Sequence, residues 1–324
     1  MAHPIGRDLD LLVVGEINPD VVVTDSDPRP AFGQAERMVE SIRLVVGSSS
    51  AIAACGAARL GLRVAMVGVV GDDALGRFML KSLAGRGVDV SACRTVASRP
   101  TGASVILGNR TDRAILTATG TIADTRAADV QPSLLARSRH LHVGSFYLQP
   151  ALAAEVAKLF RAAHDAGATT SLDPNWDPSE RWDGGFAAAA AEADVLLPNA
   201  AEACRLTGLR DVAAAAAELS RRGRGGAATV AVKLGPEGGL AVGPGSPVLR
   251  AAPPAIDVVD TTGAGDSFDA GFLAVWLDGR PLAEALALAV ACGSLSTRLP
   301  GGTDSQPTRA EAESVAACLV SAPG

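Results

Sequence analysis

The chain has 324 residues, 48% of them hydrophobic and 20% charged, with a formal net charge of −6. It can therefore bury a full core and is not a disordered chain, and its acidic balance argues against nucleic-acid binding, which needs a basic face. Apolar stretches are broken by Gly, Pro or charge before they reach transmembrane length, and residues 1–10 carry no apolar signal-peptide core. The five cysteines (Cys55, Cys93, Cys204, Cys292, Cys318) show no CxxC spacing and the four histidines no ligand spacing. Reduced thiols, no zinc site and a cytoplasmic location are expected.

In chain order, residues 9–15 (LDLLVVG) read as a buried strand, 48–60 as a helix closed by Gly61, 64–71 as a strand and 74–85 as a helix. Further strands follow near 139–144, 168–173, 194–197, 229–234 and 239–242. Helices fall near 151–166, 184–192, 200–207, 211–222, 264–278 and 281–296. The Ala runs at 187–191 and 213–217 sit at helical positions, and Ala is the best helix former. This βα alternation predicts an α/β fold with a mostly parallel sheet. Residues 20–25, 36–45, 101–109 and 113–119 instead alternate apolar with polar, the mark of strands with one wet face, and 109–112 (NRTD) reads as a hairpin turn. They predict a small sheet standing off the main one as a lid, inserted in two pieces (about 18–46 and 99–120) within one domain spanning 1–324.

Residues 260–268 read DTTGAGDSF, between an extended segment and a helix-compatible run to Asp278. A Gly-rich turn thus leads into a helix with Asp266 in its first turn. There the backbone N–H groups of Gly263, Ala264 and Gly265 lack helical partners, and the helix dipole adds positive potential. The small residues would let a phosphate approach, and the neighbouring carboxylate would accept the proton of an attacking hydroxyl. A P-loop and a G-x-G-x-x-G after the first strand are both missing.

The nine-residue string resembles the C-terminal signature of the ribokinase-like, phosphofructokinase-B type carbohydrate kinases. GEINPD (15–20), GSSSAIAACGAARLG (47–61), LDPNW (172–176), LLPNAAE (196–202), VKLGPEGG (232–239) and RLPGGTDSQPT (298–308) resemble further segments of that family. The resemblance implies a three-layer α/β/α sandwich and an ATP-dependent kinase for a hydroxymethyl group of a sugar or sugar-like molecule. Asp266 would be the base and Gly263, Ala264 and Gly265 the anion hole. Asn199 and Glu202 would order the Mg²⁺ waters and phosphates, and Lys233, Gly235 and Gly238 would line the ATP path. Asn18, Asp20, Gly47, Ser48 and Arg113 would face the sugar. Asp260 and Thr262 would bind a monovalent cation, K⁺ being the candidate. A homodimer through the lid is expected, with Val21, Val23, Met38, Ile42, Val105 and Leu107 on its outer face.

The chain departs from the family at Ser48, where a second Gly is usual, and at Ile52, where an amide often bonds the sugar. Ser48, Ser49 and Ser50 would supply polar contacts instead, or simply cap the helix. Asn18 and Asp20 also read as turn residues, Asn199 and Glu202 as a helix cap, and Lys233 and Arg113 as surface groups. His140 and His142 read as structural, and Phe146 or Tyr147 as a residue that could stack on substrate. Trp176 and Trp182 read as a pocket cover or as core anchors. The rival functions are a nucleoside kinase, with Ile52 and Phe146 forming a slot for the base, and a catalytically silent binding protein.

Overall fold

The computed structural model describes residues 7–108 and 113–320. Its first half runs β1 (Leu9–Val14), β2 (Pro19–Thr24), β3 (Ser41–Val46), α1 (Ser49–Arg59), β4 (Val64–Val67), β5 (Val69–Gly71), α2 (Ala74–Gly85), β6 (Val88–Asp89), β7 (Arg94–Val96), β8 (Ala103–Gly108) and β9 (Arg113–Ala118). Next come α3 (Pro132–Arg137), β10 (Ser138–Val143), α4 (Pro150–Ala153), α5 (Val156–Asp165), β11 (Thr169–Leu172), α6 (Phe186–Ala190), β12 (Val195–Leu196), α7 (Ala200–Thr207), α8 (Val212–Arg222) and β13 (Thr229–Lys233). The chain closes with β14 (Gly239–Val242), β15 (Leu249–Ala251), α9 (Ala264–Trp276), α10 (Leu282–Leu295) and α11 (Arg309–Val320).

Nine strands form the central sheet in the order β15-β14-β13-β12-β11-β10-β1-β4-β6. It is parallel from β6 to β13, and β14 and β15 run antiparallel. The reason lies in the strand sequences. In β1, Leu11 and Val13 enter one apolar cluster while Leu12 and Val14 enter the other. A strand buried on both faces must be apolar at nearly every position. The first cluster is completed by α1, α2, α9, α10 and α11, the second by α3 to α8, which gives three layers. Few aromatics are needed because helices approach closely on small residues. A Cβ at Gly271 of α9 would stand 2.9 Å from Cys292 Sγ of α10.

A separate four-stranded sheet has the order β3-β2-β8-β9, with β2 and β8 parallel and the outer pairs antiparallel. The pairing puts Val21, Val23, Ile42, Leu44, Val105, Leu107 and Leu116 on one face, while Val22 and Ile106 on the other are buried. Two details differ from the sequence reading. The strand expected over 36–45 begins only at Ser41, and Met38 lies before it, 83% exposed. The strand expected over 64–71 breaks at Gly68, where a Cβ would stand 2.4 Å from the Gly15 carbonyl oxygen. Its second half, β5, pairs with β7 instead of joining the main sheet. The turn expected at 109–112 lies outside the described residues. No described helix is long and apolar enough to cross a membrane.

Candidate active site

The start of α9 is shaped by its neighbours. Asp260 Oδ1 accepts the Thr262 N–H at 2.8 Å and Oδ2 accepts the Gly301 N–H at 2.8 Å, so this carboxylate ties two turns together. Gly263 is the N-cap, with φ 72° in the left-handed region. A Cβ there would stand 2.7 Å from Gly302 Cα and 3.0 Å from Ile52 Cγ2. At Gly265 it would stand 3.3 Å from Lys233 Cδ. Both glycines thus admit close protein neighbours as well, at Gly302, Ile52 and Lys233. The Ala264 N–H makes a long bond of 3.3 Å to the Thr261 carbonyl, so Ala264 is not an open donor. The N–H groups of Gly263 and Gly265 have no acceptor among the described residues.

Asp266 follows in the first turn of α9, 9% exposed. Burial, then the Asp173 charge, push its carboxyl up to about 7, against the opposing pull of Lys233 and a hydrogen bond from Ser49. One turn further, Asp269 shares the Lys233 ammonium with Asp173: Nζ lies 2.9 Å from Asp173 Oδ2 and 3.1 Å from Asp269 Oδ2. Burial alone would raise Asp173, but Lys233 holds it below the usual carboxylate range, whereas burial drives Asp269 well above it. The two carboxyls thus differ in proton affinity, low at Asp173 and high at Asp269. Asp269 Oδ1 is buried with no hydrogen-bond partner among the described residues. Lys233 was expected to line the ATP path, or to lie on the surface. Its ammonium is instead taken up by these two carboxyls.

Asn199 and Glu202 form a reciprocal cap at α7: Glu202 Oε2 accepts the Asn199 N–H at 2.8 Å and Asn199 Oδ1 accepts the Glu202 N–H at 2.9 Å. Glu202 is buried, and burial followed by the Asp173 charge raises it to about 7. The Gly235 turn is open to added side-chain bulk, with φ 60°. Gly238 has a different reason, since its Cβ would stand 2.1 Å from the Ala251 carbonyl of β15.

Asn18 and Asp20 are buried, and the Asp20 carboxylate lies where a Gly47 side chain would be, 2.2 Å from that Cβ position. The three serines take different roles. Ser48 caps α1: its Oγ accepts the Ala51 N–H at 3.2 Å and donates to the Glu16 carbonyl, so its hydroxyl is already used within the protein and is not free for a sugar. Ser50 Oγ donates to Glu16 Oε2 at 2.6 Å. Ser49 Oγ accepts from Asn175 Nδ2 at 2.6 Å and meets Asp266. Asn175 Nδ2 also donates to Ser145 Oγ at 2.7 Å, and Ser145 donates to Glu16 Oε1 at 2.6 Å. A chain of polar groups therefore runs from the buried Glu16 to Asp266.

Ile52 and Phe146 do not form a slot for a base. Ile52 is buried against Gly263 and Gly302, and Phe146 is buried edge-on to Tyr147 and Phe186. Trp176, half-exposed, meets Trp182 edge-on, and Trp182 meets Tyr147 in turn. His140 and His142 are buried and bonded to Thr169 and Ser171, as structural histidines should be. The Arg113 side chain lies outside the described residues. Among the described residues, no group of three or more His, Cys, Asp or Glu side chains is arranged to hold a metal. The sequence reading assigned no role to Glu16, Ser145, Asp173, Asn175 or Asp269, and did not single out Ser49 among the three serines. Asp269 had one legible signal: a second acid three residues after Asp266, on the same face of an otherwise apolar helix.

Residues 8–309 match the model of the pfkB family carbohydrate kinases. The chain is 34% identical over 282 residues to a 2-dehydro-3-deoxygluconokinase of Bacillus subtilis, covering 82% of this chain and 84% of the relative. It is 32% identical to an ATP-dependent ribose-1-phosphate kinase of Halopiger xanaduensis, covering 95% and 97%. A ribokinase of Arabidopsis thaliana, solved with ribose and ATP, superposes with a TM-score of 0.79 at 25% identity, over 97% of this chain and 99% of that one.

Proposed function

The chain belongs to the pfkB family of carbohydrate kinases, ATP-dependent phosphotransferases of sugar hydroxyls, and we propose from that premise how its residues divide the work. Asp266 takes the proton of a hydroxymethyl group on a sugar or sugar-like substrate as the γ-phosphoryl group of ATP is transferred in line. The N–H groups of Gly263 and Gly265, with the N-terminal dipole of α9, stabilise the charge on the moving group. Asn18 and Asp20 hold sugar hydroxyls beside Gly47, and the Gly235 turn borders the nucleotide. The four-stranded sheet acts as a lid that keeps water from the reaction, so the insertions near 18–46 and 99–120 belong to one catalytic domain.

The carboxyls of Glu202 and Asp266, each raised to about 7 by burial and by Asp173, make a site short of positive charge, and this fits a divalent cation. Asn199 and Glu202 would order the water shell of Mg²⁺, which when bound supplies charge neutralisation for the phosphates. Asp260 and Thr262 lie at the turn where K⁺ would act, and stimulation of turnover by K⁺ over Na⁺ tests that assignment. A cytoplasmic location is in keeping with five cysteines that all remain free thiols. A homodimer through the outer face of the four-stranded sheet completes the proposal.

The observation that carries this reading is Asp266: buried, at the first turn of a Gly-led helix, with a proton affinity tuned near neutrality. The test is ADP release with Mg·ATP over ribose, fructose, 2-dehydro-3-deoxygluconate, ribose 1-phosphate, fructoselysine and adenosine. Release with at least one sugar is expected. Release with adenosine alone would turn the reading to a nucleoside kinase, and ATP binding without release on any of them would end it.

A further inference from the structure

Lys233 stands at the C-terminal end of β13. Its base is fixed by a backbone bond to the Pro198 carbonyl at 3.0 Å and by a bridge to Asn199. Its side chain is only 12% exposed, and its stem runs beneath Gly265. The ammonium ends between Asp173, just past β11, and Asp269, in the second turn of α9. Asp266 and Asp269 are three residues apart, so they share one face of that helix. Whatever pins Asp269 therefore also fixes the rotation of α9 about its axis, and with it the direction of the Asp266 carboxyl.

We propose that Lys233 is a positioning residue for phosphoryl transfer, clamping the first two turns of α9 to the sheet through Asp269 and Asp173 and walling the backbone of Gly265. The role rests on the kinase reading above. It differs from a phosphate contact on geometric grounds. To reach a phosphate, the ammonium would have to leave two buried carboxyls that have no other ion-pair partner among the described residues. The groups facing it are Asp173 after β11, Asp266 and Asp269 on α9, Glu202 on α7 and His142 on β10, and Lys233 supplies the one permanent positive charge among them. A misplaced helix start would spoil both the open amides and the base, and a displacement of about 1 Å is enough to cost about 10²-fold in rate.

The experiment compares wild type, Lys233→Met, Asp269→Asn and the double variant. Turnover is measured with whichever panel sugar the wild type accepts, and Mg·ADP affinity by calorimetry. Lys233→Met is expected to lower kcat by about 10²-fold. Asp269→Asn, which keeps shape and removes the clamp's second carboxyl, should lower it by about 10-fold. Mg·ADP affinity and the KM for ATP should stay within about threefold in both, and the double variant should fall by less than the product of the singles. A loss of Mg·ADP affinity of about tenfold or more in Lys233→Met, with kcat preserved, would make the lysine a nucleotide contact and overturn the proposal. If Lys233→Met does not fold, Asp269→Asn decides alone, and unchanged kcat there overturns it. An active wild type with unaffected variants removes only this inference, whereas a wild type inert on every sugar removes the kinase reading and this inference with it.

Discussion

The Nδ2 of Asn175 lies 2.6 Å from the Oγ of Ser49, whose hydroxyl in turn meets the Asp266 carboxyl. A serine has one proton to give. With the Asn175 amide donating to its lone pair, Ser49 must point that proton at Asp266 and so favours the ionised base. Ser49→Ala should therefore raise the proton affinity of Asp266. We expect the acid limb of kcat/KM to move up by about 0.5–1 pH unit and kcat at pH 7 to fall by about two- to fivefold. A pH–rate profile checks this, and an unmoved acid limb would mean that Ser49 only fills space.

Asp266→Asn keeps the shape of the side chain and removes its basicity. Turnover should fall by about 10²–10⁴-fold, the usual weight of a general base, with circular dichroism unchanged. Near-normal turnover would refute the assignment of the base.

The same substitution should have an opposite effect on stability. The folded-state affinity of Asp266 is raised from 3.8 to about 7, so the native protein holds a proton that the unfolded chain releases. Stability from this group is fully present below about pH 4 and is lost as pH rises through 7. Asparagine cannot ionise and escapes that loss. The Tm of Asp266→Asn should exceed that of wild type by more at pH 8 than at pH 5, the excess vanishing only below about pH 4, apart from any difference in hydrogen bonding. Calorimetry of the ligand-free protein at the two pH values is the measurement, and a lower Tm at pH 8 would contradict the direction of the shift.

The main sheet was readable because its strands are apolar on both faces and its helices end at glycines such as Gly61. Asp266 was readable because a Gly-led helix start with an acid in its first turn is local in sequence. What surrounds Asp266 was not. Asp173 and Lys233 are 60 positions apart and Glu16 and Ser145 are 129 apart, and only the ordering of parallel strands brings such pairs together at one sheet edge. The roles of the serines were likewise hidden, because which of Ser48, Ser49 and Ser50 faces the base depends on how α1 is rotated against β1. The glycines of the 263–265 turn were read as room for a phosphate. Their tightest constraints come instead from Gly302, Ile52 and Lys233, residues that no local pattern links to them.

Those constraints separate two substitutions. Gly263→Ala must adopt φ 72° and meets the Gly302 backbone at 2.7 Å, which cannot retreat cheaply. It should cost about 2 kcal/mol or more of stability as well as activity. At Gly265 the added methyl meets only the flexible Lys233 stem at 3.3 Å. Gly265→Ala should therefore fold with a loss of about 1 kcal/mol or less, yet lower kcat by displacing the lysine. Equal destabilisation of the two variants in urea would argue against this division.

The outer face of the four-stranded sheet presents Ile42 at 65%, Leu44 at 43% and Leu116 at 63% exposure, in a row fixed by the pairing of β2 with β3 and β8. A monomer rarely leaves such an apolar patch in water, and a sheet face of this kind is self-complementary about a two-fold axis. Isolated charges placed there should break an association without touching the buried face that carries Val22 and Ile106. Ile42→Glu combined with Leu116→Glu is expected to convert a dimer to a monomer in light scattering, with Mg·ADP affinity retained because the nucleotide side of the main sheet is untouched. If both proteins scatter as monomers at about 10 µM, well above the Kd of a stable interface, the face is not a dimer contact. If the variant remains a dimer, the two copies associate through another surface.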